Sequence, residues 1–237
     1  MTPQPAIAGQ AASRRIVVQP RRSGALRDDS PALRARLEED GYLFLDGVLP
    51  AALVNAARSE VFARLAEVGE VAAPPVAGIA TGTSARRARA GDLGEFWRSV
   101  CEGPALRRLT HGNPLASLMG HILNAPPVAF DFLWLRAMAP GRASPPHFDH
   151  PYMGRGSARV LTAWVPLGPA PVQDGPLVLV EGSHRFTDLI ARYRGLDVDR
   201  TPERSGSLED DLLAIAHERG AHLVTTDFVP EIGRAHV

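Results

Sequence analysis

At Pro126 the hydrophobic patterning of this 237-residue chain changes, and the change limits what it can fold into. Before that point apolar residues recur at three- and four-residue spacing. Leu53, Val54, Ala57, Val61, Phe62, Leu65 and Val68 predict an amphipathic helix to about Glu67, entered through Pro50, whose fixed φ suits a first helical turn. Further helices are predicted over 31–39, 93–100, 105–110 and 115–123, and Tyr42 to Leu45 reads as a compact strand closed by Asp46-Gly47. After Pro126, the segments 128–138, 159–165, 177–180 and 222–228 are short, β-branched or aromatic, and bounded by Pro or Gly, as strands are. Helical patches at 186–193 and 208–219 interrupt them. Helices packed before and around short strands predict an α+β fold with an antiparallel, jelly-roll type core.

Composition narrows the chemistry. Acidic and basic residues number 26 each, so no net field draws the chain to nucleic acid or an anionic membrane. All the basic residues are arginine; without lysine there is no Schiff base, P-loop lysine or pyridoxal anchor. The single cysteine, Cys101, excludes an internal disulfide framework and a cysteine-rich zinc site, and fits a reducing, cytoplasmic setting. No apolar run approaches the roughly 20 residues of a spanning helix, and Met1 to Ser30 has no signal-peptide core. The expected partner is therefore a small-molecule substrate, with no nucleic acid and no membrane. Residues 1–30, rich in Pro, Ala, Arg and Ser, are expected to form a flexible tail ahead of one domain over 31–230. The loop 70–92 is long enough to be a candidate lid, with Tyr152 to Ser157 a candidate substrate wall.

The chemistry concentrates in Pro145-Pro146-His147-Phe148-Asp149-His150. On a strand, positions i and i+2 share a face, so His147 and Asp149 could offer an imidazole nitrogen and a carboxylate oxygen to one metal ion. Two histidines and one carboxylate on one face of an octahedron leave three open positions, as in non-haem Fe(II) oxygenases. Two other readings stay open on these residues alone. Asp149 could cap its own backbone in a surface turn, or His147, Asp149 and His150 together could serve a cupin-like metalloenzyme that does not use 2-oxoglutarate.

Three blocks surround this motif. Upstream stands Asp40-Gly41-Tyr42-Leu43-Phe44-Leu45-Asp46-Gly47-Val48-Leu49. Downstream come Thr162-Ala163-Trp164-Val165-Pro166-Leu167 and then Asp174-Gly175-Pro176-Leu177 running to Gly182-Ser183-His184-Arg185. In order and spacing they resemble the phytanoyl-CoA dioxygenase family of Fe(II)/2-oxoglutarate oxygenases, over about residues 37–230, and Tyr152 to Ser157 looks like its bacterial members. The resemblance implies a double-stranded β-helix (jelly-roll, cupin-like) core with Fe(II), 2-oxoglutarate and O2 as cofactor and co-substrates. It implies hydroxylation of an unactivated C–H bond with release of succinate and CO2. It makes His147 and Asp149 two iron ligands and sets Trp164 beside the 2-oxoglutarate pocket. It also places Trp134 and Arg136 on a strand that lines that pocket. His184 is not expected as a ligand: Ser183 suits an N-cap with His184 in the first helical turn, and the family's distal histidine comes later, on a strand, followed by a 2-oxoglutarate-binding arginine. A non-catalytic relative that binds a small molecule in the same barrel is the remaining alternative.

After Thr225-Thr226-Asp227-Phe228 the family pattern leads to a Gly-Asp turn, an apolar strand and that histidine. The chain instead reads Glu231-Ile232-Gly233-Arg234-Ala235-His236-Val237. GAG ATC GGA AGA GCA CAC GTC encodes this heptapeptide and runs through the start of a common sequencing-library adapter. The expectation is that 231–237 are translated adapter and that His236 is not a ligand. The third histidine and the last strands then lie beyond Pro230 and are absent here. A chain so shortened is expected to expose a sheet edge, express poorly and be inactive by itself.

Overall fold

The computed structural model describes residues 17–89, 91–135, 143–157, 159–201, 206–208 and 211–225. Its helices of seven or more residues are α1 (Ser30–Asp40), α2 (Ala51–Glu67), α3 (Leu93–Cys101), α4 (Pro104–His111), α5 (Asn113–Leu123), α6 (Thr187–Tyr193) and α7 (Leu212–Glu218). Its strands are β1 (Val17–Val18), β2 (Val178–Val180) and β3 (Leu223–Thr225). No helix among the described residues is long and apolar enough to cross a membrane.

Two apolar clusters organise these elements. The predicted stripe of α2 buries Val54, Ala57, Val61 and Leu65 against Phe96 and Val100 of α3 and Leu106 and Leu109 of α4. Glu60, also on α2, reaches the start of α4, where its two carboxylate oxygens accept the Ala105 and Leu106 N–H groups at 3.0 Å each. The N–H groups of a first helical turn have no partner within the helix, so Glu60 does the work of a cap from a neighbouring helix. The second cluster gathers Val180, Leu189, Ile215, Ala216 and Leu223, with Phe148, Phe186, Tyr193 and Leu208 packed against it.

The helices form where periodicity and capping coincide. Asp29 accepts the Ala32 N–H at 2.9 Å to start α1, Pro31 occupies its first turn, and Gly41 ends it at φ 82°. Gly41 is required twice over, because a Cβ there would also lie 2.2 Å from Nδ1 of His184.

The strand-rich half departs from expectation. Among the described residues the sheet has three short strands in the order β1-β3-β2, with β1 parallel and β2 antiparallel to β3. Residues 42–45 contribute a single bridge, Arg22 to Phe44. The described parts of 128–138 and 159–165 join no ladder. They keep part of a strand's alternation: Leu133 and Leu135 pack on the first cluster while Phe132 and Trp134 are exposed. β-branched and aromatic composition favours an extended backbone, but a ladder also needs a neighbouring strand in register, which local sequence does not specify.

Residues 17–29 fall in the segment expected to be a flexible tail, and the structure seats them. β1 pairs with β3, the Ser23 N–H donates to the Phe44 carbonyl at 2.7 Å, and Arg22 pairs with Asp46. Arg21 pairs with Glu39 at 3.0 Å and Asp40 at 3.5 Å. Tyr42 donates to Glu181 at 3.3 Å, which also faces His222 at 3.4 Å. Both arginines thus spend their charge on partners within the fold, Arg21 at the wall of a cleft of about 410 Å³. The 70–92 loop is likewise fastened down: Arg86 pairs with Glu70 at 2.5 Å and lies 4.4 Å over Trp97, and Thr81 donates to the Gly69 carbonyl at 2.6 Å. These contacts run within the loop, to Gly69 just past α2 and to Trp97 of α3, not to the residues around His147.

Removing the Glu60 carboxylate leaves two part-buried N–H groups without a partner. Glu60→Ala is expected to cost about 1–3 kcal/mol in urea unfolding, and Glu60→Gln, which keeps an acceptor, distinctly less.

Candidate metal centre

The Pro145–Asp149 segment is shaped by its prolines. Pro145 and Pro146 have no N–H to donate, so strand-like pairing shrinks to one bridge, His147 to Ser207, beside a 2.6 Å bond from the Leu208 N–H to the Pro146 carbonyl. Pro151 then starts a single helical turn, His150–Met153, and Asp149 already has helical angles of φ −70° and ψ −27°. His147 and Asp149 therefore do not share a strand face, as the i, i+2 reading expected. They meet across a turn. Phe148 between them packs on the second cluster, with its ring 5.7 Å from that of Tyr193.

The two side chains converge nonetheless. His147 Nδ1 lies 2.8 Å from the Pro145 carbonyl, which can only accept, so Nδ1 carries the hydrogen. In the neutral ring, Nε2 then keeps its lone pair, and it stands 3.4 Å from Asp149 Oδ1. The other carboxylate oxygen, Oδ2, accepts a hydrogen bond from the Thr162 hydroxyl at 2.5 Å. Two donors each about 2.1 Å from one ion stand roughly 3 Å apart when adjacent in an octahedron. Little movement separates the observed pair from that spacing. When Nε2 is protonated as well, the imidazolium donates to Asp149; this first, and the Thr162 hydroxyl after it, hold the Asp149 carboxyl below its ordinary range despite partial burial. It is thus ionised at neutral pH, the form that binds a cation.

An aromatic row runs away from this pair. The Tyr152 ring stands edge-on to His147 at 5.8 Å and to Trp134 at 6.1 Å. Trp134 and Trp164 are both exposed, while Leu133 and Leu135 on either side of the first, and Val165 after the second, pack on the helical cluster. The Tyr152 to Ser157 segment, expected as a substrate wall, is tied to residues 197–199. Arg155 binds Asp197 through two bonds of 2.7 and 2.6 Å and Asp199 at 2.6 Å, and the Val198 N–H donates to the Pro151 carbonyl at 3.2 Å.

Other candidates fall elsewhere. Arg136 lies outside the described residues, as do Pro230, where the third histidine was expected to follow, and His236. Nε2 of His184 is 2.8 Å from the Glu38 carbonyl, so this side chain braces the end of α1. The His150 ring lies against Gly154, where a Cβ would approach it to 2.4 Å. Among the described residues no group of three His, Cys, Asp or Glu side chains could hold a metal ion. Thr162 is the site residue that sequence reasoning missed. Its spacing of two from Trp164 was a usable signal, because a pocket-facing Trp164 in an extended segment puts Thr162 on the same face.

A family model described as Phytanoyl-CoA dioxygenase (PhyH) matches residues 37–221. No curated protein and no solved structure matches the chain.

The clamp on the Tyr152 to Ser157 segment is electrostatic and carries a pH signature. Arg155 holds the Asp197 carboxyl down at about 2. With the folded value depressed, the pair contributes stability above the unfolded value of about 3.9, and that contribution is lost as pH falls through about 2. Arg155→Ala is expected to return the Asp197 titration, followed by carboxyl NMR, toward about 3.9.

Proposed function

This chain belongs to the phytanoyl-CoA dioxygenase family, a family of Fe(II)/2-oxoglutarate-dependent oxygenases with a cupin or jelly-roll fold, and from that premise we propose the reaction. It is hydroxylation of an unactivated C–H bond in a small-molecule substrate. One atom of O2 enters the product, and the other enters the succinate formed with CO2 from 2-oxoglutarate. The observation that carries the reading is the convergence of His147 Nε2 and Asp149 Oδ1 at 3.4 Å, with the second polar atom of each side chain already satisfied. Those two donors fit a divalent ion of the first transition row.

Bound Fe(II) supplies the O2 activation that couples 2-oxoglutarate decarboxylation to C–H oxidation. The protein's own contributions are more modest. His147 is held in one tautomer by Pro145, and Asp149 is kept ionised. Tyr152, edge-on to His147 and to Trp134, lines the approach to the ligands with aromatic surface. We assign the 2-oxoglutarate side of the site to Trp164 and Trp134, with Arg136 as the residue that matches a carboxylate. A double-stranded β-helix supported by α1 to α5 is the fold in which we place them.

The test uses protein expressed from the genomic locus. Succinate release that requires Fe(II), 2-oxoglutarate and O2 together is expected. It should fall in His147→Ala and in Asp149→Ala by more than the about 10–100-fold typical of losing an outer partner of a metal ligand. Release that persists in both variants, or activity indifferent to 2-oxoglutarate, would contradict the assignment.

A further inference from the structure

We propose that Thr162 is a positioning residue that fixes Asp149 as a one-oxygen donor, a role that rests on the metal reading above. An ionised carboxylate only accepts hydrogen bonds, and its terminal torsion is broad, so an untethered Asp149 could turn either oxygen, or neither, toward His147. The Thr162 hydroxyl removes that freedom. At 2.5 Å from Oδ2 it lies in the range of hydrogen bonds from a hydroxyl to a charged oxygen, and Oδ1 is left facing His147 Nε2.

The sequence around Thr162 makes the contact unusual. Val160, Leu161, Ala163, Trp164 and Val165 are all apolar, and Thr162 is the single hydroxyl among them. Its side chain is exposed, so water could have satisfied it, yet it donates to a carboxylate thirteen positions earlier in the chain. The contact also bridges the two apolar clusters. Val165 and Leu167, just after Thr162, pack on the helical cluster, whereas Phe148, just before Asp149, packs on the other. The hydrogen bond therefore registers one half of the site against the other. A hydrogen bond of this kind orients a metal-binding carboxylate much as a carbonyl orients a metal-binding histidine.

Thr162→Val removes the hydroxyl at nearly constant shape, and Thr162→Ser restores it. Both are compared with the wild-type chain and His147→Ala by calorimetric titration with Co(II), a redox-stable probe for this donor set, alongside the unfolding midpoint of the metal-free proteins. Thr162→Val is expected to lower Co(II) affinity about 10–100-fold with the midpoint unchanged, and Thr162→Ser to recover most of it. Wild-type affinity in Thr162→Val, with binding still lost in His147→Ala, would overturn the role of Thr162 alone. Serine binding no better than valine would overturn it too. Absence of His147-dependent binding in the wild-type chain would overturn the metal reading, and this inference with it.

Discussion

Phe148 packs into an apolar cluster while the residues on either side of it, His147 and Asp149, stay reachable from solvent, and the candidate site follows from that division. The same device recurs on the opposite wall. Leu133 and Leu135 are held by the helical cluster around α2, which leaves Trp134 between them exposed, and Val165 does the same for Trp164. Burial of a large apolar side chain stabilises by about 1.5–3 kcal/mol when complete. A few such anchors can therefore hold the backbone beneath functional side chains that contribute nothing to the core. The site is the seam where residues anchored on two separate clusters come face to face.

Hydrogen bonds then refine what packing has placed. The prolines before His147 deny the segment a long ladder, and the freed Pro145 carbonyl takes the Nδ1 hydrogen and so selects the tautomer. Pro151 bends the chain immediately after Asp149, bringing the carboxylate back toward the imidazole. Arg155 ties the segment that follows to the turn at Asp197 and Asp199. Each of these acts away from His147 Nε2 and Asp149 Oδ1, the two atoms proposed to bind the metal.

The helical half was legible because its signals are local. The stripe from Val54 to Leu65, the cap at Asp29 and the stop at Gly41 each act within one helix, and α1 to α5 lie within a few residues of their expected bounds. The strand half was less so, because a ladder depends on a partner remote in sequence: β1 pairs with a segment some two hundred residues later, and nothing near Val17 signals it. Within the candidate site, residue type singled out His147 and Asp149, and the structure brings them together across a turn instead of on one strand face. Pro151 was in view and its effect on Asp149 could have been read. The bond from Thr162 could not, since it exists only once two clusters have packed side by side. Membership of the family supports iron and 2-oxoglutarate chemistry in general.

The central claim is that His147 Nε2 and Asp149 Oδ1 bind one divalent cation. Anomalous diffraction from crystals soaked in Co(II), recorded on both sides of the metal's absorption edge, measures this directly. The account predicts a peak about 2.0–2.2 Å from both atoms. A peak seated instead on His184, or between Glu181 and His222, with none between His147 and Asp149, would contradict it.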